Sequence, residues 1–293
     1  MKSKPTLWFV AGLLGVAALA SAQESDRSSL WTLPVLRGET VNVSYSAGSL
    51  DRAVRVQRTF ERLSARVSGW TDRKTPLAIY VLSREEWERV GLGLPYGFPA
   101  RFPMQILALA AWGDEGTVEL WSDLMQGQPP PAGQPEMVRG GPEEAASLRV
   151  GDLLGQLEGA RILLENAGLG AAELWSGEVL AHTVLLSAWL KDGAAEADRM
   201  GRVAATLRPP GAAPLSLADY RPGVAMEEWL AFQAAFHEGA RVLTGKAGPK
   251  AGRALVKLTR KSGGTLPTSR LFERFPELAA WHRSTFRLAP AGP

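Results

Sequence analysis

The apolar pattern changes period part-way along the chain, and that change bounds the folds open to it. Up to about Trp121, short apolar runs of strand character flank one long amphipathic segment; from Pro142 onward the apolar residues recur at helical spacing. Val41 to Tyr45 (VNVSY) alternates and predicts a half-buried strand, and the continuous run Leu77 to Leu82 (LAIYVL) predicts a buried one. Between them, Ser49 to Val67 sets Val56, Phe60, Leu63 and Val67 on one helical face. Ser83 and Glu86 have capping-box spacing and start a short helix through Trp87. Pro95 to Pro103 reads as a loop. Gln105 to Ala111 and Thr117 to Trp121 then read as two strands joined across Gly113-Asp114-Glu115-Gly116.

Gln126 to Pro142 is rich in proline and glycine and reads as a linker. Helices are expected over 142–166, ended by Gly168 and Gly170, and over 172–191, 225–244 and 249–260, the last opened by Pro249. Pro209 to Pro222 is loop-rich, and short helices over 269–286 are interrupted at Pro276. The expected fold is α+β. A small mixed sheet with helices spans 23–125, a linker spans 126–142, and a helical half spans 143–293.

Residues 1–22 read as a targeting segment. Lys2 and Lys4 supply the positive region, Leu7 to Ala20 the apolar run, and Ala20-Ser21-Ala22 the small residues before a cleavage point at Gln23. An uncleaved N-terminal anchor is the alternative. The expectation is an exported chain, secreted, periplasmic or in a bacterial envelope, with no transmembrane helix after residue 22. Its complete lack of cysteine fits export without oxidative folding, and it rules out thiolate zinc sites, Fe–S clusters and cysteine nucleophiles.

Without Lys2 and Lys4 the formal charge falls from +3 to +1. That near-balance hides an asymmetry. From His237 onward there are 11 Lys/Arg and 3 Asp/Glu, whereas Gln23 to Phe236 holds 20 and 27. A basic end of this kind either attracts an anionic polymer or surface, or pairs with the acidic remainder of the fold. No nucleic-acid-binding motif is present, so nucleic acid is not an expected partner.

The usual catalytic templates are missing: no G-x-S-x-G elbow, no S-x-x-K set and no P-loop. Adjacent acids such as Glu85/Glu86 and Glu227/Glu228 point apart on a helix and are not ready-made acid–base pairs. The ten tryptophans are scattered and fall mostly at core-facing positions, which points to packing rather than sugar stacking.

Two segments of the helical half are more specific. Trp175-Ser176-Gly177-Glu178-Val179-Leu180-Ala181-His182 lies on one expected helix, and Leu157-Glu158-Gly159-Ala160-Arg161 on the helix before it. They resemble the W-x-x-E segment and the HExxH motif of the gluzincin zinc peptidases, specifically the peptidase MA-like family. The order of elements over roughly residues 40 to 287 is also similar to that family. The resemblance implies a zincin-like fold. Matched residue by residue, it puts the two zinc histidines at Leu157 and Arg161, the catalytic glutamate at Glu158 and the third zinc ligand at Glu178.

The match breaks at the chemistry. Leucine has no lone pair, and arginine stays protonated with no acceptor. Zinc, the family's cofactor, is therefore not expected to bind, and Glu158 and Glu178 are vestigial candidates rather than catalytic residues. Arg161 becomes a candidate stand-in for the metal charge, paired with Glu158 or Glu178. His182 lies four residues after Glu178 on the same helix face, as a binding residue or, with Glu158 and Glu178, a weak candidate metal ligand. His237 and His282 read as structural.

Three functions follow. The first is an exported, catalytically inactive peptidase-like protein that binds an extended peptide or an envelope component, with Thr117–Trp121 as the edge strand that a peptide would extend. The second is an active zinc-dependent metallopeptidase with an atypical site. The third is a non-enzymatic envelope scaffold using the basic C-terminal end, whose partner would be an anionic envelope polymer.

Overall fold

The run Leu77–Leu82 forms the middle strand of a five-stranded sheet, and its alternation divides the core. In the computed structural model, which describes residues 30–102, 105–124, 142–207, 214–221 and 224–287, β1 (Val35–Leu36), β2 (Val41–Tyr45), β3 (Leu77–Leu82), β4 (Ala100–Phe102) and β5 (Ile106–Ala110) lie in the order β1-β2-β3-β5-β4. β2, β3 and β5 are parallel, with Val43 opposite Ile79 and Ile79 opposite Leu107; β1 and β4 run antiparallel at the two edges. The sheet is therefore small and mixed, as expected. The segment 1–22 and residues 126–141 of the linker lie outside the described residues.

Both faces of this sheet are covered, which is why β3 is apolar without interruption. Leu77, Ile79 and Val81 point into the large core, together with Leu107 and Leu109. Tyr80 and Leu82 point the other way, into a smaller cluster with Trp87, Tyr96 and Phe102. Helix α1 (Leu50–Thr71) covers the first face with Val56, Phe60, Leu63 and Val67, the stripe read from the sequence. Helix α2 (Arg84–Arg89) starts at Ser83, whose hydroxyl accepts from the Glu86 amide at 3.3 Å.

Two elements differ from the sequence reading. Thr117–Trp121 is not a strand: it lies within helix α3 (Glu115–Leu124). The physical reason is its first turn. Asp114 Oδ1 accepts from the Thr117 amide at 2.9 Å, and Thr117 Oγ1 accepts from the Asp114 amide at 2.8 Å, a reciprocal cap. Arg84 holds the Asp114 carboxylate with two hydrogen bonds of 2.7 Å. Thr117 and Trp121, four residues apart, are both fully buried, which is helical periodicity rather than alternation. The edge strand is instead β4, inside the segment expected to be only loop.

The helical half consists of α4 (Pro142–Asn166), α5 (Leu174–Asp192), α6 (Ala194–Leu207), α7 (Met226–Ala247), α8 (Ala251–Lys261), α9 (Thr268–Arg274) and α10 (Pro276–Thr285). Helix α6 occupies a stretch where no element is expected from the apolar pattern. Short parallel pairs link distant segments: β6 (Gly170–Ala171) with β8 (Thr265–Leu266), and β7 (Leu215–Ser216) with β9 (Phe286–Arg287). The large core runs without a break from Val41 to Phe286, so both halves share one apolar interior.

Helix α4 joins the halves because one of its faces carries almost no side chain. Gly151, Gly155 and Gly159 recur every four residues. A Cβ on Gly151 would lie 2.4 Å from the backbone oxygen of Gly97, one on Gly155 2.5 Å from Leu109, and one on Gly159 2.4 Å from Phe60. The helix thus lies directly on β5, α1 and the loop before β4. Backbone cannot yield as a side chain can, so Gly151→Ala should destabilise the protein by ~1–3 kcal/mol in denaturant unfolding. Gly201→Ala, in α6 with open space around its Cβ, should leave stability unchanged or raise it by up to ~1 kcal/mol.

Candidate functional site

Three helices bring polar side chains to one buried point. Helix α4 supplies Glu158 and Arg161, which lie one turn apart. Helix α5, apolar nearly all round, supplies Glu178 and, one turn on, His182. Helix α7 supplies Gln233, from the otherwise apolar stretch Leu230–Phe236, and His237 just after it. Tyr220 approaches from the segment after β7.

The Arg161 guanidinium bridges both carboxylates. Nη1 donates to Glu158 Oε1, and Nη2 donates to Glu178 Oε2. Nη2 also donates to Gln233 Oε1 at 2.9 Å. The same oxygen lies 3.0 Å from His182 Nε2. A carboxamide oxygen only accepts, so His182 carries its hydrogen on Nε2. Gln233 Nε2 donates to the Tyr220 hydroxyl at 3.2 Å, and that hydroxyl hydrogen bonds to Glu178. The rings of His182 and His237 meet edge-to-face at 5.8 Å.

Burial sets the electrostatics. Loss of solvent pushes the Glu158 carboxyl above the usual carboxylate range, against the pull of Arg161 and with the repulsion of Glu178 added. Burial also works against the Arg161 charge, but the two carboxylates outweigh it and hold the guanidinium protonated. Burial, with the nearby His237 and Arg161, drives His182 well below the ordinary imidazole value. His237 falls to about 4, mainly by burial and secondarily through Arg241. Tyr220 is pushed well above its ordinary value by burial and by Glu178. The imidazoles are thus neutral, and the charged groups are one cation and two acids. Glu158 Oε2 and Arg161 Nε are buried without a hydrogen-bond partner.

The structure therefore brings Glu158, Arg161, Glu178 and His182 together, with His182 joined to Arg161 only through Gln233. Leu157, matched by the resemblance to a zinc histidine, is fully buried in the apolar core. These residues do not fit a zinc ion: the guanidinium already engages both carboxylates, and the imidazole at hand is spent on Gln233. No group of three potential metal-ligating side chains occurs among the described residues.

Sequence reasoning missed Gln233 and Tyr220. The signal for Gln233 was available: a lone carboxamide amid Leu230, Phe232, Ala234 and Phe236, one turn before His237, must find a buried partner. A second, half-buried pair flanks the cluster, where Arg101 of β4 holds Glu165 of α4, with Nη1 to Oε1 at 3.0 Å. His282, read as structural, packs against Trp175 and Phe272 with ring centroids at 4.5 and 5.4 Å. No protein-family model and no curated protein matches this chain, so its site is read from its own geometry.

Removing one partner of a buried ion pair leaves an uncompensated charge, at a cost of ~3–5 kcal/mol, whereas an exposed pair contributes at most ~1. Arg161→Leu should lower stability by the first amount and Arg89→Leu, in the exposed pair with Glu85, by the second, as measured by denaturant unfolding. The imidazoles add a pH dependence. Unfolded histidine binds a proton near 6.5, but folded His237 does so only near 4. Stability is therefore lost as pH falls from 6.5 towards 4, while Glu158, raised in the fold, shifts the other way. The melting temperature should drop between pH 7 and pH 4.5, and His237→Gln should make that drop shallower.

Proposed function

We propose that this chain is a zincin-like, peptidase-like protein that is exported and acts by binding rather than by hydrolysis. The observation that carries this reading is the Arg161 guanidinium between Glu158 and Glu178. On the gluzincin reading these two glutamates occupy the positions of the catalytic base and the third zinc ligand. Arg161, at the position of the second histidine, reaches the point where the metal charge would act. A fixed organic cation neutralises the carboxylates but offers no open coordination position and lowers no water pKa.

The ligand that suits such a fold is an extended peptide. It would add alongside β4, which ends the sheet and lies next to α4, rather than alongside Thr117–Trp121, which is helical. Among the described residues no helix is long and apolar enough to cross a membrane. Export rests on residues 1–22 alone.

Restoring the two missing imidazoles tests the placement. The purified wild-type chain should contain well under one zinc per molecule and should not cleave casein. Leu157→His/Arg161→His, provided it retains a cooperative melting transition, should bind about one zinc per chain by metal analysis. A folded double variant that takes up no zinc would sink the zincin-like reading. Stoichiometric zinc with chelator-sensitive cleavage in the wild type would instead identify an active peptidase.

A further inference from the structure

All eleven Lys and Arg residues from Arg241 to Arg287 are exposed. No Asp or Glu occurs between Glu238 and Glu273. Within this stretch helix α8 is sharply two-sided. Ala251, Leu255 and Val256 are fully buried in the main core, and Gly252 lies so close to Trp70 and Ser187 that a Cβ would approach both at 2.9 Å. The opposite side presents Arg253, Lys257 and Lys261, and Lys250, the residue that caps the helix, continues the row, at spacings of three, four and four residues. At 1.5 Å per residue they form a single file about 16 Å long with roughly one cation per turn.

None of these four has an ion-pair partner among the described residues. Their neighbour Arg260 turns aside to Asp72, with Nη1 2.7 Å from the carboxylate. That is the pair that links this basic stretch to the acidic remainder among the described ion pairs, since Lys246 reaches Glu277 inside the stretch itself. The acidic residues elsewhere therefore do not neutralise the file. The row is held rigidly outward, because rotating α8 would expose its apolar side.

We propose that this outer face of α8 is a docking surface for a linear polyphosphodiester, a polymer whose charges follow one another along a flexible chain. A single file matches a linear polyanion, whereas a bilayer spreads its charge in two dimensions and is met by a broad patch. Three of the four cations are lysines, compact point charges suited to phosphate oxygens, while planar two-point capture of carboxylates is the work of arginine. No aromatic side chain stands in the file, so it offers no stacking platform for nucleic-acid bases. This inference is independent of the peptidase-like reading.

The test is calorimetric titration of the full chain with poly(glycerol phosphate) at low ionic strength. Binding is expected, weakening by about tenfold or more when salt is raised to physiological strength. Lys257→Glu/Lys261→Glu should weaken it by at least about tenfold. Arg58→Glu/Arg62→Glu makes the same change in net charge on α1, where Glu39 and Glu61 share the hollow with both arginines, and should weaken it by less than about threefold. Lys257→Gln/Lys261→Gln replaces the first variant should it fail to melt cooperatively. Absence of binding at low salt would overturn the proposal, as would equal losses in the two reversal variants. Tighter binding to polygalacturonate would assign the face to a carboxylate polymer, and tighter binding to phosphatidylglycerol vesicles would assign it to a membrane; either outcome also overturns it.

Discussion

A guanidinium withdrawn from water needs anionic partners, and the helical half of this protein is arranged around one that has two. Arg161 takes a carboxylate from its own helix, a carboxylate from α5 and a carboxamide from α7. Apolar packing alone would hold these helices together but would not fix their rotation. Helix α5 buries thirteen of its nineteen residues on every side and so has no preferred apolar face. Its one partner for a buried cation is Glu178. Turning α5 by a fraction of a turn would strand both charges in the interior, so the ion pair selects one rotation among several that pack about equally well.

One guanidinium faces two acids, so the cluster is left with more acid than base. The imbalance falls on Glu158, whose Oε2 is buried without a partner and whose carboxyl is driven upward by burial. That upward shift works towards neutrality, because a proton on the Glu158 carboxyl would leave one acid facing one cation. The two histidines support the same balance by staying uncharged, with His182 donating to Gln233 rather than competing with Arg161 for the carboxylates.

Legibility in the sequence followed the reach of the interactions. β2 and β3 were read to the residue because β2 alternates between a covered and an open face and β3 is a continuous apolar run. The partners of Arg161 on α4 and α5 were within reach of the sequence, since Glu158 is one turn away and Glu178 closes the W-x-x-E segment of the next helix. That Gln233 needs a buried partner was legible, but that the partner is Arg161 was not, because it lies 72 residues away on a helix whose docking no local pattern sets. Helix α3 was misread for a local reason. Thr117, Val118 and Trp121 carry β-forming side chains, and the reciprocal cap between Asp114 and Thr117 outweighs them once Arg84 fixes Asp114. β4 was hidden because three residues between prolines give no periodicity; it exists because β5 offers it an open edge.

The charge asymmetry has the opposite character: it was plain in the composition, but its meaning depended on where each side chain ends. Basic residues facing the acidic part of the fold would have cancelled, leaving an ordinary solvated surface. Instead α8 spends its apolar side on the core and its cap region on Trp70 and Ser187, so the cations face only outward. Uncompensated like charges one turn apart repel by a few tenths of a kcal/mol per pair. The helix bears that repulsion because burial of Leu255 and Val256, roughly 1.5–3 kcal/mol each, exceeds it. A file of cations held in place by its own hydrophobic underside needs no partner in order to persist, and it loses no side of itself to the fold when one arrives.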